Sequence, residues 1–182
     1  MVVGIGAVAA GPVLQTERLE LRLPRADDMQ AMFAIASHPQ TARYLGRSGN
    51  MADHFTRSLR NAGSWLTYGY GSFMVRLHGS DQVIGNIGVF HSWRGLGADF
   101  DDSPEAGWIL AHDHTGQGLA REAMEAVLQW FEHSHGPRRI VCMIEQGNQP
   151  SLGLAARLGF REMRTDRLPE GAEVVLLERL PA

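Results

Sequence analysis

Apolar and polar positions change period several times along this chain, and each change marks an element. Leu19, Leu21 and Leu23 alternate with Arg18, Glu20 and Arg22, so residues 18–23 predict a half-buried strand that Pro24 ends. Asp27 or Asp28 is placed to cap a helix whose face is Met29, Met32, Phe33, Ile35 and Ala36, stopped by His38-Pro39. From Met51 to Trp65 the chain carries Phe55, Leu59, Ala62 and, just beyond, Leu66 at helical spacing, with Gly63 a weak point. Phe73 to Leu77 and Val83 to Phe90 read as two strands joined at Gly79-Ser80-Asp81. Gly85 and Gly88 inside the second predict a bulge or the close approach of another backbone. Residues 92–103 have no period and read as a surface loop. Its Asp99, Asp101 and Asp102 either form a solvated turn or attract a cationic amine.

Further on, Glu105 to Leu110 is a short apolar run of buried-strand type. Leu119, Ala123, Val127 and Phe131, with Ala126 and Trp130 beside them, then recur at helical spacing. Gly116 and Gly118 therefore sit where a strand gives way to a long helix. A glycine turn there presents backbone N–H groups at the positive end of a helix dipole, which suits an anion such as pyrophosphate. Arg138 to Glu145 is another strand. Asn148 caps a short helix, roughly 149–158, that runs into Leu158-Gly159-Phe160. Residues 160–165 and 173–180 close the sheet as an antiparallel pair around a Pro169-Glu170-Gly171 turn.

The glycine turn is not a dinucleotide fingerprint, because Arg121 stands where GxGxxG needs its third glycine. No Gly-Lys-Ser/Thr exists for a P-loop. Thr115-Gly116-Gln117-Gly118-Leu119-Ala120 does resemble the acyl-coenzyme A loop of the GNAT N-acetyltransferases, [RQ]xxGx[GA], with Thr115 departing from its first position. The continuation Gly118 to Ala123 is similar to the GYATEA segment of the branch that acetylates ribosomal-protein N-termini. The opening LQTERLELR with its Asp-capped helix, and Asn148-x-x-Ser151 followed by LGF, resemble the same branch. The resemblance spans residues 14–180.

It implies an α+β fold: a mixed, mostly antiparallel sheet of six or seven strands, flanked by about four helices and splayed between the fourth and fifth strands. Acetyl-coenzyme A would lie in that gap as acyl donor, and a primary amine, of a protein N-terminus or a small molecule, would attack the thioester directly. The first two helices would flank the acceptor groove. The resemblance places the pyrophosphate on Thr115, Gly116, Gln117, Gly118, Leu119 and Ala120, and the oxyanion donor among Ile109, Leu110 and Ala111. Glu105 matches the family's base, acting directly or through water, and Ser151 the proton donor to the leaving thiolate. Many relatives use a Tyr a few residues later, and here no Tyr follows Tyr70. Asn148 is a helix cap that also reaches the cofactor. Two other readings stand beside this one. Glu105 and Ser151 are a rim residue and a first-turn serine in a catalytically idle acyl-coenzyme A sensor, or the chain is an unrelated phosphate-binding domain.

Composition narrows the field. At 182 residues one domain is expected, here 14–182 behind a mobile tail over 1–13. A net charge of −3 without runs of like charge argues against a nucleic-acid partner. The lone Cys142 rules out an internal disulfide and, in its apolar run, reads as an inert buried thiol. The apolar amino end is too short to span a bilayer and lacks a basic leader, so no membrane partner and a cytoplasmic location are expected. His112-Asp113-His114 lacks a matching ligand pair, so no metal is expected. Trp93, Trp108 and Trp130 read as core or cleft wall. Homodimers are common among such domains, which leaves a homodimer open.

Overall fold

The computed structural model describes residues 13–45, 50–169 and 171–181. Its strands are Leu14–Gln15 (β1), Leu19–Arg22 (β2), Ser72–Leu77 (β3), Gly85–Phe90 (β4), Glu105–Leu110 (β5), Ile140–Glu145 (β6), Arg161–Arg167 (β7) and Glu173–Arg179 (β8). Its helices are Asp28–Ser37 (α1), Pro39–Ala42 (α2), Met51–Tyr68 (α3), Ala98–Asp101 (α4), Leu119–His135 (α5) and Gln149–Arg157 (α6). Residues 1–12 of the expected tail lie outside the described residues, as does Glu170 of the expected turn. Val13 is held, its N–H bonding to Leu21 O at 2.8 Å.

One mixed sheet runs β1-β2-β3-β4-β5-β6-β8-β7. Every neighbouring pair is antiparallel except β5 and β6, which lie parallel and share one paired position, Glu105 with Val141. The expected fourth and fifth strands are β5 and β6, because the short β1 adds one to the count. Among the described residues, eight strands and six helices stand where six or seven and about four were expected; the additions are short segments with too few residues to show a period.

Helix α5 covers one face of the sheet. Its Leu119, Ala123, Met124, Val127, Leu128 and Phe131 are buried in one cluster with Phe73, Val75, Ile87 and Val89. Each fully buried large side chain contributes about 1.5–3 kcal/mol. The other face receives α1, whose Met32 packs with Met74 and Val83. Asp27 takes the N-cap position of α1 without a side-chain bond. Asp28 instead accepts the Arg25 N–H at 2.6 Å and pairs with the buried Arg22.

The glycines of β4 mark close approach rather than a bulge. A Cβ at Gly88 would stand 2.3 Å from Ser72 Cα, and one at Gly85 2.3 Å from Ile109 O. Both lie in regular ladders, so β4 is squeezed between its neighbours.

Helix α3 shows the expected apolar stripe, turned outward. Phe55, Leu59 and Leu66 are 50%, 54% and 87% exposed, while His54, Ser58, Asn61 and Ser64 face inward. Hydrogen bonds account for this orientation. Asn61 both donates to Ser72 O and accepts the Ser72 N–H, and Ser64 Oγ donates to Tyr70 O while accepting the His91 N–H.

Candidate functional site

Strands β5 and β6 begin together and then part. The Val141 N–H bonds to Pro104 O at 2.8 Å, Glu105 pairs with Val141, and no further register pair follows. On its other edge β5 stays zipped to β4 as far as Leu110, and the Ala111 N–H reaches Ile84 O at 2.8 Å. Antiparallel ladders alternate the direction of successive N–H groups, so Leu110 N–H turns toward the parting edge while Ile109 and Ala111 bond to β4. Of the three expected donors, Leu110 is thus the one directed at the gap.

At the end of β5 a 3-10 turn, His112–His114, leads into the glycine loop. The Thr115 hydroxyl donates to His112 O at 2.8 Å, and the Gln117 side chain donates to Asp113 O at 2.8 Å. Gly116 and Gly118 have φ of 74° and 78°, the left-handed region where a side chain costs about 1–2 kcal/mol. These two turns aim the loop backbone outward. Among the described residues, no protein acceptor takes the backbone N–H groups from Gly116 to Arg121. That run of free donors at the start of α5 is an anion cradle. Thr115, the departure from the family's first loop position, closes the preceding turn with its hydroxyl.

The cradle is braced by residues that the spacing of the sequence did not single out. Glu122, in the first turn of α5, accepts from Thr16 Oγ1 at 2.5 Å and from the Arg18 N–H at 2.8 Å. Arg18 Nη1 also donates to Gln117 O at 3.0 Å. Burial works to raise the Glu122 pKa, but the bonds from Thr16 and Arg18 outweigh it and hold the carboxyl below its ordinary value.

Glu105 is 3% exposed and lies on the face of β5 opposite α5. Its carboxylate is fully engaged: Arg94 Nε and Nη2 reach it at 2.7 and 2.6 Å, and the Ser92 hydroxyl donates to the same group. Burial works against the Arg94 charge, but Glu105 beside it holds the guanidinium above its ordinary value. This pair ties the loop over residues 92–103 to the sheet, and Phe100, 1% exposed, pins it further against Val141, Val174 and Leu176. The acidic residues of that loop are not a free cluster. Asp101 is buried and accepts the N–H groups of Arg94 and Leu96, while Asp99 pairs with Arg164, which holds its carboxyl low.

Asn148 caps α6, its side chain accepting the Ser151 N–H at 3.2 Å. Ser151 thus stands in the first turn of α6 with its main chain satisfied. Trp108, from β5, donates its indole N–H to Ser151 Oγ at 3.2 Å. Trp130 packs against Phe73 and Trp65, as a core residue should, whereas Trp93 is 73% exposed and is not a core residue. Cys142 is buried, and burial pushes its thiol well above the ordinary range. His112 stacks on His38 with ring centres 5.3 Å apart. Among the described residues, no group of three or more His, Cys, Asp and Glu side chains gathers as a metal set. No described helix is long and apolar enough to cross a membrane.

A parted parallel strand pair beside a glycine-loop anion cradle makes up the candidate site. The sequence model described as "Acetyltransferase (GNAT) domain" matches residues 18–161, and the chain belongs to this acetyltransferase family. A GnaT-family protein from Bordetella pertussis is 36% identical, with a TM-score of 0.82 over 91% of this chain and 98% of that one. The uncharacterized N-acetyltransferase YnaD of Bacillus subtilis (strain 168) is 25% identical over 150 residues, covering 81% of this chain and 82% of its own. RimL, a ribosomal L7/L12 α-N-protein acetyltransferase, shares the fold at 16% identity, with a TM-score of 0.72 over 93% and 92% of the two chains.

Proposed function

We propose that this chain transfers an acetyl group from acetyl-coenzyme A to a primary amine by direct attack, as a cytoplasmic enzyme. The observation that carries this reading is the run of free N–H groups from Gly116 to Arg121 beside the edge where β5 leaves β6. These donors match a pyrophosphate, with Thr115, Gly116, Gln117, Gly118, Leu119 and Ala120 as the loop that holds it. From there the pantetheine arm runs along the parted edge, where Leu110 N–H faces the thioester oxygen.

The amine nitrogen attacks the carbonyl carbon, the C–N bond forms, and the C–S bond breaks with its electron pair going to sulfur. The proton lost by the amine balances the one gained by the thiolate, so the exchange consumes no outside acid. Ser151 donates to the leaving sulfur and Asn148 holds Ser151 in place. An α-amine has a solution pKa of about 8 and a lysine about 10, so a proton acceptor on the amine side is required.

Glu105 lies on that side, acting directly or through water. A second role for it is favoured by the engagement of its carboxylate: Arg94 and Ser92 occupy both oxygens, which suits an anchor for the acceptor-side loop. The pH profile of Glu105→Gln separates the two. A base gives a lost acidic limb in kcat/KM, while an anchor gives a raised acceptor KM with the limb retained.

The acceptor is either a protein N-terminus, as RimL's name states for that enzyme, or a small amine. Coenzyme A release should be followed with an alanine-initiated peptide, spermidine and glucosamine as probes. Turnover on any of them that falls at least tenfold in Ser151→Ala supports the enzyme reading. Binding of acetyl-coenzyme A with no turnover across the panel, in wild type and variants alike, supports instead an acyl-coenzyme A-binding module of the same fold.

A further inference from the structure

We infer that Trp108 is a positioning residue that aims the Ser151 hydroxyl at the leaving sulfur, which rests on the reading of Ser151 given above. Trp108 follows Ala106 and precedes Leu110 on the α5 face of β5, and its ring packs on the main core. Its indole nitrogen extends to the first turn of α6 and meets Ser151 Oγ at 3.2 Å. The two residues come from the elements on either side of the opening between β5 and β6.

An indole N–H is a donor only, whereas a serine hydroxyl carries one proton and two lone pairs and rotates freely about its Cβ–O bond. The Trp108 bond therefore fixes Ser151 Oγ as acceptor on one side and leaves its proton to be donated elsewhere. Neither the helix start nor a second acceptor competes for the hydroxyl. The Ser151 main-chain N–H is already capped by Asn148, so the helix start is satisfied without the hydroxyl. Among the described residues, no acceptor takes the Ser151 hydroxyl proton. A hydroxyl that accepts one hydrogen bond is polarised into a better donor for the next. When the C–S bond breaks and its electron pair moves to sulfur, the hydroxyl is already turned so that its proton can meet that charge. Without Trp108 the same hydroxyl is free to rotate among orientations, most of which do not face the sulfur.

The product complex tests this without knowledge of the acceptor. The thiol of coenzyme A bound to excess protein is titrated by its thiolate ultraviolet absorbance. The protein's own single thiol, Cys142, is buried with its pKa pushed up and stays outside the signal. A donor aimed at sulfur favours the thiolate and lowers the bound thiol's pKa below that of free coenzyme A. Ser151→Ala is expected to raise it by about one pH unit. Trp108→Phe, which keeps the ring and loses the N–H, should raise it part of the way. The double variant should match Ser151→Ala alone, because Trp108 acts through the hydroxyl. Ser151→Thr and Trp108→His, each keeping its donor, should fall nearer wild type, and melting curves confirm that every variant is folded.

A Trp108→Phe shift that persists in the Ser151→Ala background would assign Trp108 to packing and overturn the inference. A shift in Ser151→Ala with none in Trp108→Phe would overturn it too, while leaving the role of Ser151 intact. No shift in Ser151→Ala, or no binding of coenzyme A, would remove the reading of Ser151 itself and the inference with it.

Discussion

Arg18 Nε lies 2.7 Å from Glu122 Oε2, and the Arg18 backbone N–H donates to the other oxygen of the same carboxylate. The turn between β1 and β2 thereby grips the first turn of α5, and Arg18 Nη1 holds the Gln117 carbonyl away from the cradle. Arg18 is 45% exposed, so its worth to global stability is small and its effect is local. Arg18→Ala is expected to weaken acetyl-coenzyme A binding by roughly fivefold, on the order of 1 kcal/mol. Its melting temperature should fall by no more than about 2–4 °C. Titration calorimetry and thermal melts together read this; unchanged affinity would make the clamp purely structural.

The same carboxylate gives a pH dependence. Glu122 is held below its ordinary pKa in the fold, so its stabilising contribution is complete above the unfolded value of about 4.3. That contribution is lost as pH falls through the lowered folded value. Glu122→Gln should therefore be less stable than wild type at pH 7, and the gap in urea midpoint should narrow below about pH 4. A gap that stays constant into acid would contradict the assignment.

Arg94→Ala leaves the Glu105 carboxylate buried without its cationic partner. Breaking a buried pair costs about 3–5 kcal/mol, and the one-third exposure of Arg94 brings the expected loss to about 2–3 kcal/mol. The loop over residues 92–103 should then be cut by protease well before the sheet core. Chemical denaturation and limited proteolysis check the two halves of this prediction.

Two glycines should respond in opposite directions. Gly88→Ala drives a methyl into Ser72 Cα and Gly71 O, both backbone atoms that cannot step aside, and should cost about 3 kcal/mol or more. Gly63→Ala, in mid-helix with nothing within 4 Å of the new Cβ, should stabilise by about 0.5–1 kcal/mol. Denaturation midpoints of the two single variants decide it.

What could be read from the sequence follows from the range of each interaction. The strand from Glu105 to Leu110, the glycine loop and the Asn148 cap are local patterns, and the structure places each within a residue or two of its expected position. The orientation of α3 was not legible, because periodicity identifies a stripe without saying what it faces. Hydrogen bonds to Ser72, Tyr70 and His91 turned its polar side inward. The loop over residues 92–103 looked free because its anchors are a single aromatic, Phe100, and a contact between Arg94 and Glu105. Trp108 with Ser151 and Arg18 with Glu122 are 43 and 104 residues apart, and no spacing rule joins them. The segments containing both members of the second pair were visible as motifs, and only the fold shows that they touch.

That the glycine loop holds the pyrophosphate of acetyl-coenzyme A is tested by calorimetric titration of the protein with acetyl-coenzyme A, NAD and ATP. Selective binding of acetyl-coenzyme A is expected, with a Kd on the order of micromolar. That binding should be lost in Gly118→Val, because a β-branched residue resists the φ of 78° that Gly118 adopts. Absence of binding, equal binding of the three nucleotides, or full affinity in Gly118→Val would contradict it.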